Sequence, residues 1–440
     1  MNPTSSLGPP PRRPGRNWLD ALYTAVWRWH FWAGLLSAPF LTLLSLTGAI
    51  YVFQEDLNVA LRPDLHRVER PGGAEMLPYQ TRLESALAHA HASHQWASFA
   101  RSPSDLRSDE FVFEKESETA GDHEHLFLYI DPYTAGFLGS QRIEDTFFAI
   151  VLKLHRTLLA GSFGRALVEI STSWGIVSLV TGMVLWIPRG KNKIAGVLTL
   201  RLNQGRRVLL RDLHTVPGFY IGGFAFAIMF TGLLYTQVWG SAALGGLYLG
   251  GGLPAPYVSP PQSRVPESGG SRASLDSVME EAHRHYRFRH FHLQVPHGPE
   301  DPWVISSATH HGDLSEGAIY MDAYTAEPLA TIHYPSLSFG AKAFLLFYSI
   351  HTGSIFGMAT QIAAVASCLA IIAMSVTGAW MWWRRRPKGR FGAPRKSRSE
   401  HVPRVAAVLI VLLGLVFPMV GITLVLMAVG QEIRSIVKKS

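Results

Sequence analysis

Two patterns of polar and apolar positions alternate along this chain. Long runs of about twenty mostly apolar residues, enough to cross a bilayer as a helix, are separated by segments in which short apolar clusters are broken by Gly, Pro, Asn and Asp. The long runs predict membrane spans at 29–53, 166–187, 214–239 and 359–383, with a fifth at 404–430. The first is too long for the apolar core of a cleaved signal peptide and lacks an A-x-A site, so it reads as a signal anchor. The intervening segments 60–145 and 270–335 carry strand-like clusters at Phe111–Phe113, Leu126–Ile130, Val304–Ser307 and Ala318–Met321, and helical patterns around 85–93 and 275–292. Two shorter apolar-rich helices follow them, within 146–165 and 339–357, each stopped by a Gly-containing break and placed near the membrane surface. Residues 240–270, rich in Gly and Pro, read as a linker. Residues 1–28 read as a Pro/Arg-rich tail, and 188–213 and 384–403 as basic loops.

The order of these elements repeats. His155 and His351 are 196 residues apart (351 − 155), as are Thr181 and Thr377 (377 − 181). The turn Asp131-Pro-Tyr-Thr-Ala recurs 191 residues later (322 − 131) as Asp322-Ala-Tyr-Thr-Ala. His30 and Thr47 are separated by 17 positions, and so are His214 and Thr231. Each half is thus span, outward domain, interfacial His helix, span. The expected fold is an α+β membrane protein: four core spans in two internal repeats, a fifth C-terminal span outside them, and two outward α+β domains. Repeats of this kind place functional sites at the interface between the halves.

Charge sets the orientation. The formal net charge is +8, yet 20 of the 40 Lys and Arg residues lie in 1–29, 188–213 and 384–404, while 54–170 holds 18 Asp/Glu against 11 Lys/Arg. The positive-inside rule puts the N-terminus and both basic loops in the cytoplasm and the two long segments outside, in the periplasm of a bacterium. The basic excess is therefore a topology signal and calls for no nucleic acid. The fifth span would leave its C-terminal lysines outside, against the same rule. The single cysteine, Cys368, excludes a disulfide framework and a thiol-based redox motif.

Four histidines stand out: His30 and His214 at the cytoplasmic ends of the first and third spans, His155 and His351 on the interfacial helices. Ionisable groups at the edge of spans point to function, although a lone interfacial histidine is commonly only an anchor. Imidazole is a good axial ligand of haem iron, and two imidazoles from related helices would clamp one haem. The pairs His30/His214 and His155/His351 then predict two b-type haems, one near each face. Gly34 and Gly218, one turn from His30 and His214, would let a flat macrocycle approach, and Arg28, Arg211 and Arg156 are candidate partners for its carboxylates. The outward segments hold further histidines at 89, 91, 94, 123, 125, 283, 285, 290, 292, 297, 310, 311 and 333. Solvated surface explains them more simply than a dedicated metal site. The spans show essentially no central Asp or Glu, against a proton-coupled transporter. No phosphate-binding loop and no strand-following G-x-G-x-x-G is present, so electrons would have to come from a separate cytoplasmic or membrane donor. No general acid or base is nominated.

The D-x-Y-T-A turns resemble those of PepSY domains, and the chain around them resembles the PepSY-associated transmembrane family over roughly 25–385. The residues that carry the likeness are Trp29-His30-Phe-Trp-Ala-Gly34, Leu154-His155-Arg156, Leu213-His214, His351-Thr-Gly-Ser and the Thr-Gly … Trp ends of the second and fourth spans. The resemblance implies two PepSY-like periplasmic domains on an inner-membrane, haem-containing reductase of ferric siderophores. The sequence departs from strict repetition at Ala323 and Glu327, which stand where the first turn has Pro132 and Gly136, and at Thr352, which stands where the first half has Arg156. The alternative function is a non-enzymatic PepSY module that binds or regulates a periplasmic peptidase or envelope partner. A siderophore permease subunit is a third option, disfavoured by the absence of relay carboxylates.

Overall fold

The computed structural model describes residues 18–102, 104–116, 123–187, 198–267, 269–286, 290–307, 317–392 and 404–437. Its helices are α1 (Trp18–Tyr51), α2 (Gln54–Leu61), α3 (Pro63–His66), α4 (Tyr79–His89), α5 (Phe147–Thr157), α6 (Gly161–Trp186), α7 (Arg206–Gly232), α8 (Val238–Leu249), α9 (Ala255–Val258), α10 (Leu275–His285), α11 (Phe339–Thr352), α12 (Met358–Arg385), α13 (Arg404–Val416) and α14 (Pro418–Val437). Its strands are β1 (Gln95–Arg101), β2 (Asp109–Glu116), β3 (His123–Ile130), β4 (Phe137–Arg142), β5 (Phe291–Gln294), β6 (Trp303–Ser307), β7 (Ala318–Met321) and β8 (Pro328–Ile332).

Four helices, α1, α6, α7 with its short 3-10 extension, and α12, are long and apolar enough to cross a membrane. At 26 to 34 residues each they run ~40–50 Å, longer than the ~30 Å hydrocarbon core. α1 packs on α6 and α12, and α7 on α12 and α6. Hydroxyls along the spans donate to carbonyls one turn back, as Ser37 does to Ala33 and Thr42 to Ala38, so these polar groups are satisfied without water.

The apolar run at 404–430 is not one continuous helix. It breaks into α13 and α14 around Phe417–Pro418, since proline cannot continue the hydrogen-bond ladder of α13. A side chain at Gly414 would lie 3.1 Å from the Gly421 backbone, so the two helices fold back on each other as a hairpin. Phe417 and Val420 are buried against Trp29, Trp174 and Trp239. The Trp174 indole N–H donates to Thr423 Oγ1 at 3.1 Å, and that of Trp239 to the Val416 carbonyl at 2.9 Å. The segment read as a linker contains α8, an apolar helix of 12 residues.

The strands of the two outward segments form a single antiparallel sheet in the order β4-β3-β2-β1-β5-β6-β7-β8, with β1 joined to β5 through the register Phe99↔Leu293 and Ala100↔His292. The two outward segments thus share one layer of sheet, a join the sequence did not show. One face carries Phe99, Phe111, Phe113, Leu128, Phe291, Leu293, Ile305 and Ile319, and α4 and α10 cover it with Leu83, Ala86, Leu275, Val278 and Met279 in one continuous core. Each large apolar side chain so buried contributes ~1.5–3 kcal/mol. The covering helices cap one another: Asp276 accepts from the Tyr79 N–H at 2.6 Å, and Gln80 accepts from the Leu275 N–H at 3.1 Å. Such caps satisfy amide donors that the first helical turn leaves free. Beneath the sheet Asp109, fully buried, accepts from Arg82 and from Arg101 at 2.6 Å.

The turns that follow β3 and β7 have identical construction. Asp131 Oδ1 accepts from the Tyr133 and Thr134 amides, and Asp322 Oδ1 from those of Tyr324 and Thr325. The alanines that close them, Ala135 and Ala326, take φ of 52° and 58°.

Candidate functional site

Each of the four histidines is seated by a Thr-Gly dipeptide on a neighbouring helix. His30 of α1 points at α6, where its Nδ1 lies 2.9 Å from the Ser178 carbonyl and 3.3 Å from Thr181 Oγ1. His214 of α7 makes the same contacts with α12, 2.9 Å to the Met374 carbonyl and 3.4 Å to Thr377 Oγ1. His155 of α5 meets α1 at 3.0 Å from both the Leu44 carbonyl and Thr47 Oγ1. His351 of α11 meets α7 at 2.9 Å from the Ile228 carbonyl, to which Thr231 Oγ1 also donates at 3.1 Å.

A carbonyl oxygen can only accept, so each Nδ1 carries the hydrogen and each Nε2 keeps its lone pair. Fixing the tautomer through the second ring nitrogen is how metal-bound histidines are oriented and made more basic.

The glycine of each dipeptide makes room for the ring. A Cβ at Gly182 or Gly378 would come within 3.0 Å of Cε1 of His30 or His214, one at Gly48 within 3.3 Å of His155, and one at Gly232 within 2.7 Å of His351. The two Thr-Gly … Trp ends noted in the sequence, and the Thr47-Gly48 and Thr231-Gly232 steps, are therefore histidine seats. Their role was hidden because the rings they hold come from residues more than a hundred positions away.

The seated rings meet in pairs, one ring from each half. His30 and His214 lie with ring centroids 6.0 Å apart, His155 and His351 with centroids 6.2 Å apart. Two imidazoles sharing one metal along a common axis stand ~6 Å apart, from two metal–nitrogen bonds of ~2 Å and ~1 Å from each nitrogen to its ring centre. Leu44, which holds His155, is fourteen residues beyond His30 on α1, and Ile228 is fourteen beyond His214 on α7. The two pairs are thus offset by ~21 Å along the bundle. The His155/His351 pair lies nearer the sheet.

A cavity of about 470 Å³ surrounds His30 and His214, walled by Trp27, Phe31, Phe219 and Trp382 among others, within the size range of small-molecule sites. Gly34 and Gly218 both line it, and both also permit close helix packing, since a Cβ there would reach Ser178 Oγ at 3.1 Å and Met374 Sδ at 3.0 Å. Of the arginines expected beside this pair, Arg211 lines the cavity together with Arg385, whereas Arg28 is not among its lining residues. Arg211 also reaches Asp212, 3.4 Å away, whose buried carboxylate is held by Arg201 at 2.8 Å. Arg156 lies on the sheet side, within electrostatic range of Tyr51, Tyr235 and Tyr348. The Tyr235 ring is 5.9 Å from that of His351.

Two facing imidazoles with proton-bearing Nδ1, free Nε2 and aromatic walls are the donor set that a six-coordinate haem requires. The residues present at the His30/His214 pair fit that group, and the His155/His351 pair repeats the carbonyl-tied Nδ1 and the centroid spacing.

The spans are not free of acid. Glu169 of α6 is fully buried and accepts from the first two amides of α8, Val238 N–H at 2.9 Å and Trp239 N–H at 2.8 Å. Both oxygens thus cap a helix whose N-terminal dipole favours a negative charge, which gives Glu169 a structural task.

The other histidines are scattered. Among the described residues no group of three or more His, Cys, Asp or Glu side chains is placed to hold a metal ion. Burial pushes the His283 imidazole below its ordinary pKa, and its Nε2 lies 3.4 Å from the Tyr79 hydroxyl. His89 stacks on Phe137 at 4.2 Å, and His125 pairs with Glu144 at 3.1 Å. His310 and His311 lie outside the described residues.

Comparison with known proteins agrees with this architecture. Residues 27–385 match the family model described as the PepSY-associated TM region. No curated protein matches the chain.

Proposed function

The chain belongs to the PepSY-associated TM region family, and from that premise we propose that it is an inner-membrane di-haem electron-transfer protein that reduces a periplasmic ferric siderophore. In this reading Fe(III) in the chelate takes one electron to become Fe(II), and the electron is supplied by a separate reductant on the cytoplasmic side. Reduction loosens the hold of hard oxygen ligands on the metal, so iron is released. The sheet faces the periplasm and the His30/His214 end of the bundle faces the cytoplasm.

One observation carries the reading: two pairs of imidazoles, each with Nδ1 tied to a carbonyl and centroids about 6 Å apart, stacked through the depth of the bundle. Haem b bound at each pair supplies reversible one-electron chemistry at iron. His30 and His214 would hold one group, His155 and His351 the other. The chain's own contribution is to fix those ligands, exclude water from them and keep the two sites apart along the membrane normal. Arg211 and Arg385 place positive charge at the mouth of the cytoplasmic-side cavity, where carboxylates can be met by hydrogen-bonding cations.

An optical spectrum of the detergent-solubilised protein, before and after dithionite, tests the proposal. The expected result is a b-type spectrum that sharpens on reduction, partly lost in His30→Ala or His214→Ala and partly in His155→Ala or His351→Ala. Addition of a ferric chelate should re-oxidise the reduced protein. A colourless protein that takes up no added haem would reject the reading in favour of a non-enzymatic module that binds an envelope partner.

A further inference from the structure

The two halves do not finish in the same way at the sheet end of the bundle. Repeat offsets of 184 along α1 and α7, and 196 along the later helices, align Tyr51 with Tyr235, Glu55 with Trp239, and Thr352 with Arg156. At one of the two equivalent corners beyond the His155/His351 pair stand bulky residues: Trp239 packs on Phe230 with ring centroids 5.2 Å apart, Glu169 caps the helix that carries it, and Arg156 lies in the last turn of α5. At the other corner, between the α1–α2 bend of the first half and the α11–α12 turn of the second, there is a cavity of about 280 Å³.

That pocket adjoins the histidine pair. Tyr51, in its wall, is three residues beyond Gly48, which abuts the His155 ring. Tyr348 is three residues before His351, and Thr352 follows it directly. On a helix, positions three apart are surface neighbours. The lining is mixed: beside Val52, Phe53 and Met358 it presents the Gln54 and Gln361 amides, the Tyr51 and Tyr348 hydroxyls, and the carboxylates of Glu55 and Asp56. Both carboxylates are exposed, and neither is in an ion pair among the described residues. The pocket is lined by no Lys or Arg, although Arg156, outside the lining, acts electrostatically on Tyr51 and Tyr348. The cavity at the other end of the bundle has the reverse character, with Arg211 and Arg385 and no carboxylate in its lining.

We propose that this pocket, bounded by Tyr51, Glu55, Asp56, Tyr348, Thr352 and Gln361, is where the acceptor docks, and that it selects ferric chelates bearing positive charge. The proposal rests on the reading of the chain as a ferric-chelate reductase and adds the port and its charge preference. Complementary charge at a rim acts mainly on encounter and falls with salt. Amides and hydroxyls in the wall supply hydrogen bonds to a polar ligand.

Hexaamminecobalt(III), a substitution-inert trication, is the probe. Equilibrium dialysis against the full-length protein in detergent at low ionic strength should show one saturable site, weakened by salt. Glu55→Gln combined with Asp56→Asn should lower the affinity about ten-fold. Thr352→Arg, which gives this half the residue of the other, should do at least as much. Glu75→Gln, which removes an exposed carboxylate outside the pocket, should leave binding unchanged. Absence of a saturable site, binding indifferent to the pocket variants, or an equal loss in Glu75→Gln would overturn the proposal. The optical spectrum of the same samples reports separately on the parent reading: no haem removes the premise, whereas an intact haem spectrum with charge-indifferent binding removes the pocket alone.

Discussion

The glycine seats permit a graded test, because the room left for each ring differs. Replacing Gly232 by Ala would put a methyl group 2.7 Å from His351 Cε1; at Gly182 and Gly378 the distance is 3.0 Å, and at Gly48 3.3 Å. Ordinary carbon contacts lie at ~3.5–4.0 Å, so the His351 ring must retreat by about 0.8 Å or more. Its Nδ1 is 2.9 Å from the Ile228 carbonyl, and a retreat of that size carries the pair towards ~3.6 Å, where a hydrogen bond no longer exists. The loss is ~0.5–1.5 kcal/mol for the bond itself. The larger effect is on ligation, since removing the partner that orients a metal-bound histidine typically lowers affinity ~10- to 100-fold. The assay is the haem-to-protein ratio of the purified variants, with the rate of haem transfer to an excess of apomyoglobin as a second measure. Retention should fall in the order Gly48→Ala, then Gly182→Ala and Gly378→Ala, then Gly232→Ala. Gly223→Ala, in the same helix as Gly232 but with nothing within 4 Å of the added methyl, should retain haem fully and gain ~0.5–1 kcal/mol of helix stability. Equal retention in all five proteins, or a ranking unrelated to clearance, would refute the seat argument.

Two further predictions concern the scaffold. Glu169→Ala should lower the thermal midpoint in detergent through ~1–3 kcal/mol of unsatisfied amide at the start of α8, and Glu169→Gln should recover part of it, since its carbonyl replaces one of the two accepting oxygens while its NH2 cannot accept from the other N–H; a proton-relay role would instead leave stability unchanged in both. The α13–α14 hairpin should place its two ends on one side of the membrane: in a Cys368→Ala background, cysteines at Arg404 and Val437 should react with an impermeant maleimide from the same face, and labelling from opposite faces would restore a full fifth span.

What the sequence revealed and what it concealed divide along the range of the interactions. The four spans follow from hydropathy, a local property, and α1, α6, α7 and α12 lie where the apolar runs are. The repeat offsets also identified the four histidines and their equivalence. The partners that seat them were out of reach, because Ser178, Met374, Leu44 and Ile228 act through backbone carbonyls that any residue would supply. The β1–β5 seam escaped for a related reason: Gln95–Arg101 mixes polar and aromatic residues with no clean alternation, and its pairing with Phe291–Gln294 is a tertiary fact. Two features left a signal in the sequence. Pro418 inside the last apolar run marks the break between α13 and α14, and Glu169, an acid near the end of a predicted span, announces a specific partner.

The way the four histidines are divided bears on how such a chain arose. Every ring is oriented by a carbonyl of its own half, yet each facing couple draws one member from either half. A half-length ancestor would have carried two correctly aimed imidazoles and not one complete site. Two copies of such a half, related by a dyad and joined edge to edge where β1 meets β5, would bring both couples together at once, so that pairing the imidazoles and pairing the halves would be a single event. The equivalence is not kept everywhere: at the sheet-side corners Arg156 and Thr352 occupy equivalent places.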